Sequence, residues 1–223
     1  MRSLAIGDIH GCFAALKALA DYVPFQDTDR LILLGDYVDR GPDSRAVLDW
    51  LIDRARKGPL VALRGNHEIM MLAARDDPAA ERDWMDYGAR ATLTSYSPLG
   101  DQGRLSDVPD EHWEFLENQT LRWFETASHF FVHANAYPQI PLRDQPDLML
   151  YWEKFNDAPP HCSGKIMVCG HTPQKSGRPR SLGRAVCIDT CAHGGGWLTC
   201  LDVATGEYWQ TNQRGECRRD TLS

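Results

Sequence analysis

The chain has 223 residues, 43% hydrophobic and 25% charged, with a formal net charge of -7 and a pI near 5.6. That length suffices for one sizeable core and predicts a single domain over residues 1–223. An acidic surface repels nucleic acid and no run is long and apolar enough to span a bilayer, so neither is an expected partner.

Met1-Arg2-Ser3 runs straight into the apolar Leu4-Ala5-Ile6, leaving no room for a signal peptide, so a cytoplasmic location is expected. In chain order, Leu4-Ala5-Ile6, Leu31-Ile32-Leu33-Leu34 and Leu60-Val61-Ala62-Leu63 read as buried strands. Helices are predicted over Phe13 to Leu19 and Ser44 to Arg56, the second with Ser44 as N-cap and Val47, Leu48, Leu51 and Ile52 on one face. This βαβαβ pattern implies right-handed crossovers. Residues 76–123 are rich in Asp, Glu, Trp and Arg and read as an insertion of helices and loops over one sheet edge, punctuated by Gly88, Pro98, Gly100 and Gly103. Strands return at residues 130–132, 166–169, 185–188, 197–201 and 207–210, with Gly194-Gly195-Gly196 a tight turn, and the charged tail 214–223 is expected to fray. The seven cysteines form no C-x-x-C pair and are expected to be free, with Cys169, Cys187 and Cys200 in the core.

The predicted strands end in polar clusters. Ile6 leads into Gly7-Asp8-Ile9-His10-Gly11, Leu34 into Gly35-Asp36-Tyr37-Val38-Asp39-Arg40-Gly41, and Leu63 into Arg64-Gly65-Asn66-His67-Glu68. Later, Val132 leads into His133-Ala134-Asn135 and Cys169 into Gly170-His171-Thr172. Ligands bind at the carboxyl ends of strands in open α/β sheets, so these clusters are expected to converge on one rim. Asp, Asn and His without cysteine suit divalent Mn, Fe or Zn rather than Ca or a thiolate site. One division of ligands puts Asp8 and His10 on a first ion, Asn66, His133 and His171 on a second, and Asp36 between them. Two such ions lower the pKa of a shared water and clamp an in-line displacement at phosphorus.

These motifs resemble the phosphoprotein phosphatase family of Ser/Thr-type metallophosphoesterases. Its signatures read here as GDIHG (Gly7 to Gly11), GDYVDRG (Gly35 to Gly41) and GNHE (Gly65 to Glu68), with HA and GHT elements at His133-Ala134 and Gly170 to Thr172. The resemblance covers most of the chain outside the middle insertion and tail, and the length is similar to that of compact bacterial and phage members. It implies an α/β, calcineurin-like metallophosphoesterase fold: a central β-sandwich flanked by helices, with the active site at the carboxyl ends of strands. It also implies two divalent metal ions, manganese first and iron or zinc as alternatives, on Asp8, His10, Asp36, Asn66, His133 and His171. By the same motifs His67 protonates the leaving oxygen, Asp39 orients His67, and Arg40 and Arg64 grip the phosphoryl oxygens. A carboxylate fixes the tautomer of its histidine, and a guanidinium meets phosphate as a fork. One position departs from the pattern. Where compact members carry an arginine shortly after a tryptophan, Leu150-Tyr151-Trp152-Glu153-Lys154 offers Lys154, a point charge.

The activity this implies is a phosphoprotein phosphatase acting on phosphoserine and phosphothreonine in proteins or peptides, with phosphotyrosine and small phosphoesters as further substrates. The alternative enzyme is a symmetrical dinucleoside tetraphosphate hydrolase. Those enzymes tend to lack the acid at position 39 and to read GNHD, whereas this chain has Asp39 and Glu68. An inactive phosphoprotein-binding module is the further alternative; such modules usually lose a ligand, and none is lost here. Outside the motifs, His112, His129 and His161 are expected to be structural, and His193, just after Ile188-Asp189-Thr190, to face the rim. Arg178, Arg180 and Arg184 read as a solvated loop, and Trp84, Tyr87 and Tyr96 as packing.

Overall fold

The continuous apolar strands require cover on both faces, and the fold supplies it with two stacked sheets between helical layers. The computed structural model describes residues 1–97 and 103–222. The first third alternates β1 (Ser3–Ile6), α1 (Phe13–Tyr22), β2 (Arg30–Leu33), α2 (Ser44–Lys57), β3 (Leu60–Leu63) and α3 (Asn66–Asp76). Then come α4 (Pro78–Met85), α5 (Ala89–Tyr96), α6 (Asp110–Asn118), β4 (Thr120–Leu121), β5 (Trp123–Glu125), β6 (His129–Val132) and α7 (Asp147–Tyr151). The last third holds β7 (Ile166–Cys169), β8 (Arg180–Ser181), β9 (Ala185–Cys187), β10 (Leu198–Asp202), β11 (Glu207–Thr211) and β12 (Cys217–Thr221).

One sheet runs β12-β11-β10-β1-β2-β3-β4 and the other β5-β6-β7-β9-β8. The pairs β1–β2, β2–β3 and β3–β4 are parallel, as are β6–β7 and β7–β9, so the carboxyl ends of the inner strands of each sheet share one side. Strand alternation divides the core. Leu4, Ile6, Leu31 and Leu33 meet Leu16, Leu19, Val47, Leu48 and Leu51 of α1 and α2. Ala5, Ile32, Leu34 and Leu63 turn the other way, onto Phe131, Val168, Val186 and Ile188. Beyond them, Phe130, Val132, Met167 and Cys169 pack on Leu150, Tyr151 and Phe155. Each fully buried aliphatic side chain contributes about 1.5–3 kcal/mol, which holds the two strand-end rims in register. The expected α/β architecture, a β-sandwich flanked by helices, is therefore observed.

Several local expectations are corrected. A helix not among the predicted elements, α3, opens on the GNHE segment, where Glu68 folds back on the loop that precedes it. Ser44 is not the N-cap of α2; Asp43 holds that position, and the Ser44 hydroxyl instead accepts the Asp39 N–H at 3.1 Å. The tail does not fray over residues 217–221. It forms β12, whose Arg218 stacks 4.0 Å from the Trp197 ring and donates to Gln210 at 2.7 Å, so charged residues serve an edge strand. The middle segment ends in strand at β4 and β5, and Pro98 and Gly100 lie outside the described residues. Among the described residues no helix is long and apolar enough to cross a membrane. All seven cysteines are free, and Cys169, Cys187 and Cys200 are buried.

Candidate active site

The strand-end loops are held in conformations that L-residues seldom adopt. Among the described residues, six non-glycine residues have positive φ, and five of them are His10, Asp36, Asp39, Arg40 and His171. Such strain persists only where the surroundings over-determine it, and it gathers at functional sites. Glu68 supplies much of the restraint. Its buried carboxylate accepts the N–H groups of Asp36 (2.8 Å), Tyr37 (2.7 Å) and Gly65 (2.8 Å), tying two rim loops together. Space is equally tight: a Cβ on Gly170 would lie 2.0 Å from Asp8 Oδ1, and one on Gly65 would lie 2.2 Å from Asp36 Oδ1.

Asp36 stands at the centre. Its Oδ2 is 3.4 Å from His10 Nε2 and 4.0 Å from His67 Nε2, and its Oδ1 is 3.4 Å from His133 Nε2. Two groups of donor atoms gather around it, His10–Asp36–His67 and Asp36–His133–His171, each within 4.8 Å. Asn66 Oδ1 joins the second group, 3.0 Å from His133 Nε2 and 2.9 Å from His171 Nδ1. Asp8 stands beside the rim, where its carboxylate accepts the His171 backbone N–H at 2.9 Å. The structure thus brings Asp36, Asn66, His133 and His171 together as expected, and His67 Nε2 also lies close to His10 and Asp36, with Asp8 beside the rim.

The hydrogen-bond directions test whether cations fit. His10 Nδ1 donates to the Val38 carbonyl at 2.9 Å and His133 Nδ1 to the Leu34 carbonyl at 2.7 Å. His171 Nε2 faces the Trp152 carbonyl at 3.2 Å. Burial favours the neutral form in all three, lowering His10 and His133 and taking His171 down to about 4. A neutral imidazole has one N–H, so each ring turns a lone pair inward, onto Asp36 or Asn66 oxygen. Lone pairs directed at one another are what a cation between them relieves, and outward donation to carbonyls is how ligand histidines are oriented. Burial opposes ionisation of Asp36, while the His67 ring, the one of the four that favours its charged form, helps hold its pKa below the ordinary value. Asp8 is pushed well up by burial and by the charges of Asp189 and Asp36. The residues present fit two divalent ions.

A second network reaches the site from α4 and α5. His67 Nδ1 donates to Asp39 Oδ2 at 2.7 Å, Trp84 Nε1 donates to the same oxygen at 2.7 Å, and Thr92 donates to Oδ1 at 2.7 Å. His67 Nε2 is buried with no partner among the described residues. Burial disfavours the charged ring, but Asp36 and the Asp39 hydrogen bond outweigh it and raise the pKa of His67. Trp84 and Tyr96 are packed in the core as expected, but Trp84 also fixes the acid, and Tyr87 is half-exposed beside His67.

The expected phosphate contacts divide. Arg40 is exposed at the rim with Nη1 3.0 Å from His10 Nε2. Arg64 is largely committed elsewhere: Nε donates to Thr120 at 2.9 Å and Nη2 to the carbonyls of Leu116 (2.9 Å) and Glu117 (2.6 Å) at the end of α6. Lys154 is exposed, and its carbonyl accepts from Asn135 at 3.0 Å, which places its backbone near the His133 loop. The basic loop is less free than expected, since Arg178 pairs with Asp220 at 3.2 Å and Arg180 lies 5.7 Å from the Phe155 ring.

His193 does face the rim, its ring 4.7 Å from that of His10, with Nδ1 buried and unpartnered among the described residues. Asp189 is a buried acid that the sequence motifs do not mark. Its Oδ1 accepts the Cys191 N–H at 2.9 Å, its Oδ2 has no partner among the described residues, and burial raises it to about 7. The polar residue ending β9 was the available signal, since the same rule located the other clusters.

The family model for calcineurin-like phosphoesterases matches residues 1–195. The chain is 44% identical over 147 residues to a symmetrical bis(5'-nucleosyl)-tetraphosphatase of Pseudomonas fluorescens, covering 64% of this chain and 46% of that protein. It is 31% identical over 210 residues to serine/threonine-protein phosphatase 1 of Salmonella typhimurium, covering 89% of this chain and 90% of that protein. It also resembles a solved cold-active protein tyrosine phosphatase, with a TM-score of 0.68 and 16% identity over 100% of this chain and 78% of that one. The chain spans less than half the length of the matched tetraphosphatases.

Proposed function

This chain belongs to the calcineurin-like phosphoesterase family, and on that premise we propose that it hydrolyses phosphoester or phosphoanhydride bonds with two divalent metal ions held around Asp36. The observation that carries the reading is the inward turn of the His10, His133 and His171 lone pairs onto Asp36 and Asn66. Bound there, such ions would supply positive charge to phosphoryl oxygens and lower the pKa of water.

The chain's own groups do the rest. Arg40 presents its fork at the rim to orient and neutralise the phosphoryl group. His67 directs an unpartnered Nε2 into the site, where a protonated ring delivers its proton to the leaving oxygen. Asp39 fixes the Nδ1–H tautomer and stabilises the imidazolium, and Trp84 and Thr92 keep Asp39 in place.

For the substrate we infer a dinucleoside tetraphosphate cleaved symmetrically. Its support is the higher identity, 44% against 31%, to proteins of that name. The preference for phosphoproteins drawn from Asp39 and Glu68 gives way to it. Phosphoprotein hydrolysis stays as the second reading, favoured by the Asp39–His67 contact and by a relative matched over 90% of its length. Rates on diadenosine tetraphosphate and on a phosphoserine peptide, both with manganese, decide between them. A preference for the dinucleotide of about tenfold or more in kcat/KM is expected, a factor worth about 1.4 kcal/mol. The reverse preference overturns the first reading in favour of the second.

A further inference from the structure

We propose that the pocket between the Arg40 loop and the first turns of α5 is a nucleotide subsite, holding the phosphate chain and base beyond the phosphorus under attack. This rests on the dinucleotide reading above. Arg40, Pro42, Gly88, Arg90, Ala91 and Thr94 line an open surface groove of about 550 Å³ beside the rim.

Three observations point to an anionic, flat ligand. First, the pocket adjoins the reaction centre, because Arg40 is both its wall and the residue 3.0 Å from His10 Nε2. Gly88 makes this closeness possible: at φ +106°, a Cβ there would lie 2.9 Å from the backbone N of Arg40.

Second, the pocket's cations are not neutralised by carboxylates. The chain carries a net charge of -7, yet among the described residues neither Arg40 nor Arg90 pairs with a carboxylate, and the Arg90 side chain has no hydrogen bond. Arginines of the adjoining helix α2 differ: Arg56 pairs with Glu111, and Arg45 lies 4.0 Å from Asp49. The unengaged guanidinium of Arg90, beside an Arg40 whose fork is engaged only by His10 Nε2 at 3.0 Å, suits successive phosphates.

Third, Tyr87 is 48% exposed and stands edge-on to His67 at 6.5 Å between centroids, one residue before the pocket wall at Gly88. An exposed ring beside a phosphate site is a platform for a nucleobase. A single phosphoryl group reaches Arg40 alone; a nucleoside diphosphate also engages Arg90 and Tyr87.

The test is inhibition of p-nitrophenyl phosphate hydrolysis by ADP, by pyrophosphate and by inorganic phosphate, using metal-loaded protein with manganese in excess. Chelation by the inhibitor acts alike on every protein compared. Arg90→Ala is expected to raise the inhibition constants of ADP and pyrophosphate about tenfold, the loss of roughly one charge-assisted hydrogen bond. Inorganic phosphate should change less than twofold, and Arg90→Lys should recover part of the ADP affinity. Tyr87→Leu should weaken ADP but not pyrophosphate. Equal losses for ADP and inorganic phosphate, or none for ADP, overturn the subsite. If the expected pattern holds while the wild type prefers a phosphopeptide to diadenosine tetraphosphate, the subsite stands and the substrate reading falls.

Discussion

The Asp39 carboxylate and the His67 ring are joined by a 2.7 Å hydrogen bond, Nδ1 donating to Oδ2, with both side chains buried. The bond leaves Nε2 as the only ring atom free to exchange a proton with a substrate. Asp39→Asn should lower kcat by about 10²- to 10³-fold, within the range for general acid catalysis. The loss should be smaller for p-nitrophenyl phosphate, whose leaving group needs little protonation, with metal content unchanged. Equal losses across leaving groups would contradict the acid role of His67.

Trp84 donates to the same Asp39 oxygen from α4. Trp84→Phe keeps most of the packing and removes the N–H. A hydrogen bond to a charged group is worth about 1.5–3 kcal/mol. The expected result is a roughly tenfold fall in kcat with KM nearly unchanged. A change in KM alone would place Trp84 in substrate binding instead.

Arg64 and Arg40 should separate by readout. Arg64 ties Thr120 and the last carbonyls of α6, so Arg64→Ala should cost about 1–3 kcal/mol in a urea titration. Arg40→Ala should leave the urea midpoint nearly unchanged while kcat/KM falls at least tenfold. An undiminished midpoint for Arg64→Ala would show that its main work lies in the site.

His112 gives a pH signature away from the metal ligands. Burial lowers its pKa, opposed by its contact with Asp49 at 3.0 Å. Below about pH 6.5 the unfolded chain takes up a proton that the folded chain resists. The stabilising effect is therefore complete above that pH and is lost as pH falls through the lower folded value. Thermal midpoints at pH 7.5 and 5.0 should differ more in the wild type than in His112→Gln. An equal difference in both proteins would remove His112 from the account.

Much of the rim was legible because parallel strands buried on both faces stand out as short apolar runs, and the residue after each run must sit at the sheet's edge. Asp36, Asn66, His133 and His171 were found that way. Trp84 and Thr92 were not, since they meet Asp39 across 45 and 53 residues of sequence, and nothing local marks an indole N–H as a partner for a distant acid. β12 was missed for a different reason. Its residues show no apolar alternation, and its edge is held by Arg218 and Arg219 over Trp197 and Trp209. Arg64 matched its motif, but only the placement of α6 reveals where its guanidinium is bound.

The central claim is that Asp36 would help hold both of two divalent metal ions. Metal analysis of protein dialysed against manganese, wild type beside Asp36→Asn, tests it most directly. The account predicts about two ions per wild-type chain, fewer than one in the variant, and loss of hydrolysis with the metal. A single ion in the wild type, or two ions retained by Asp36→Asn, would contradict it.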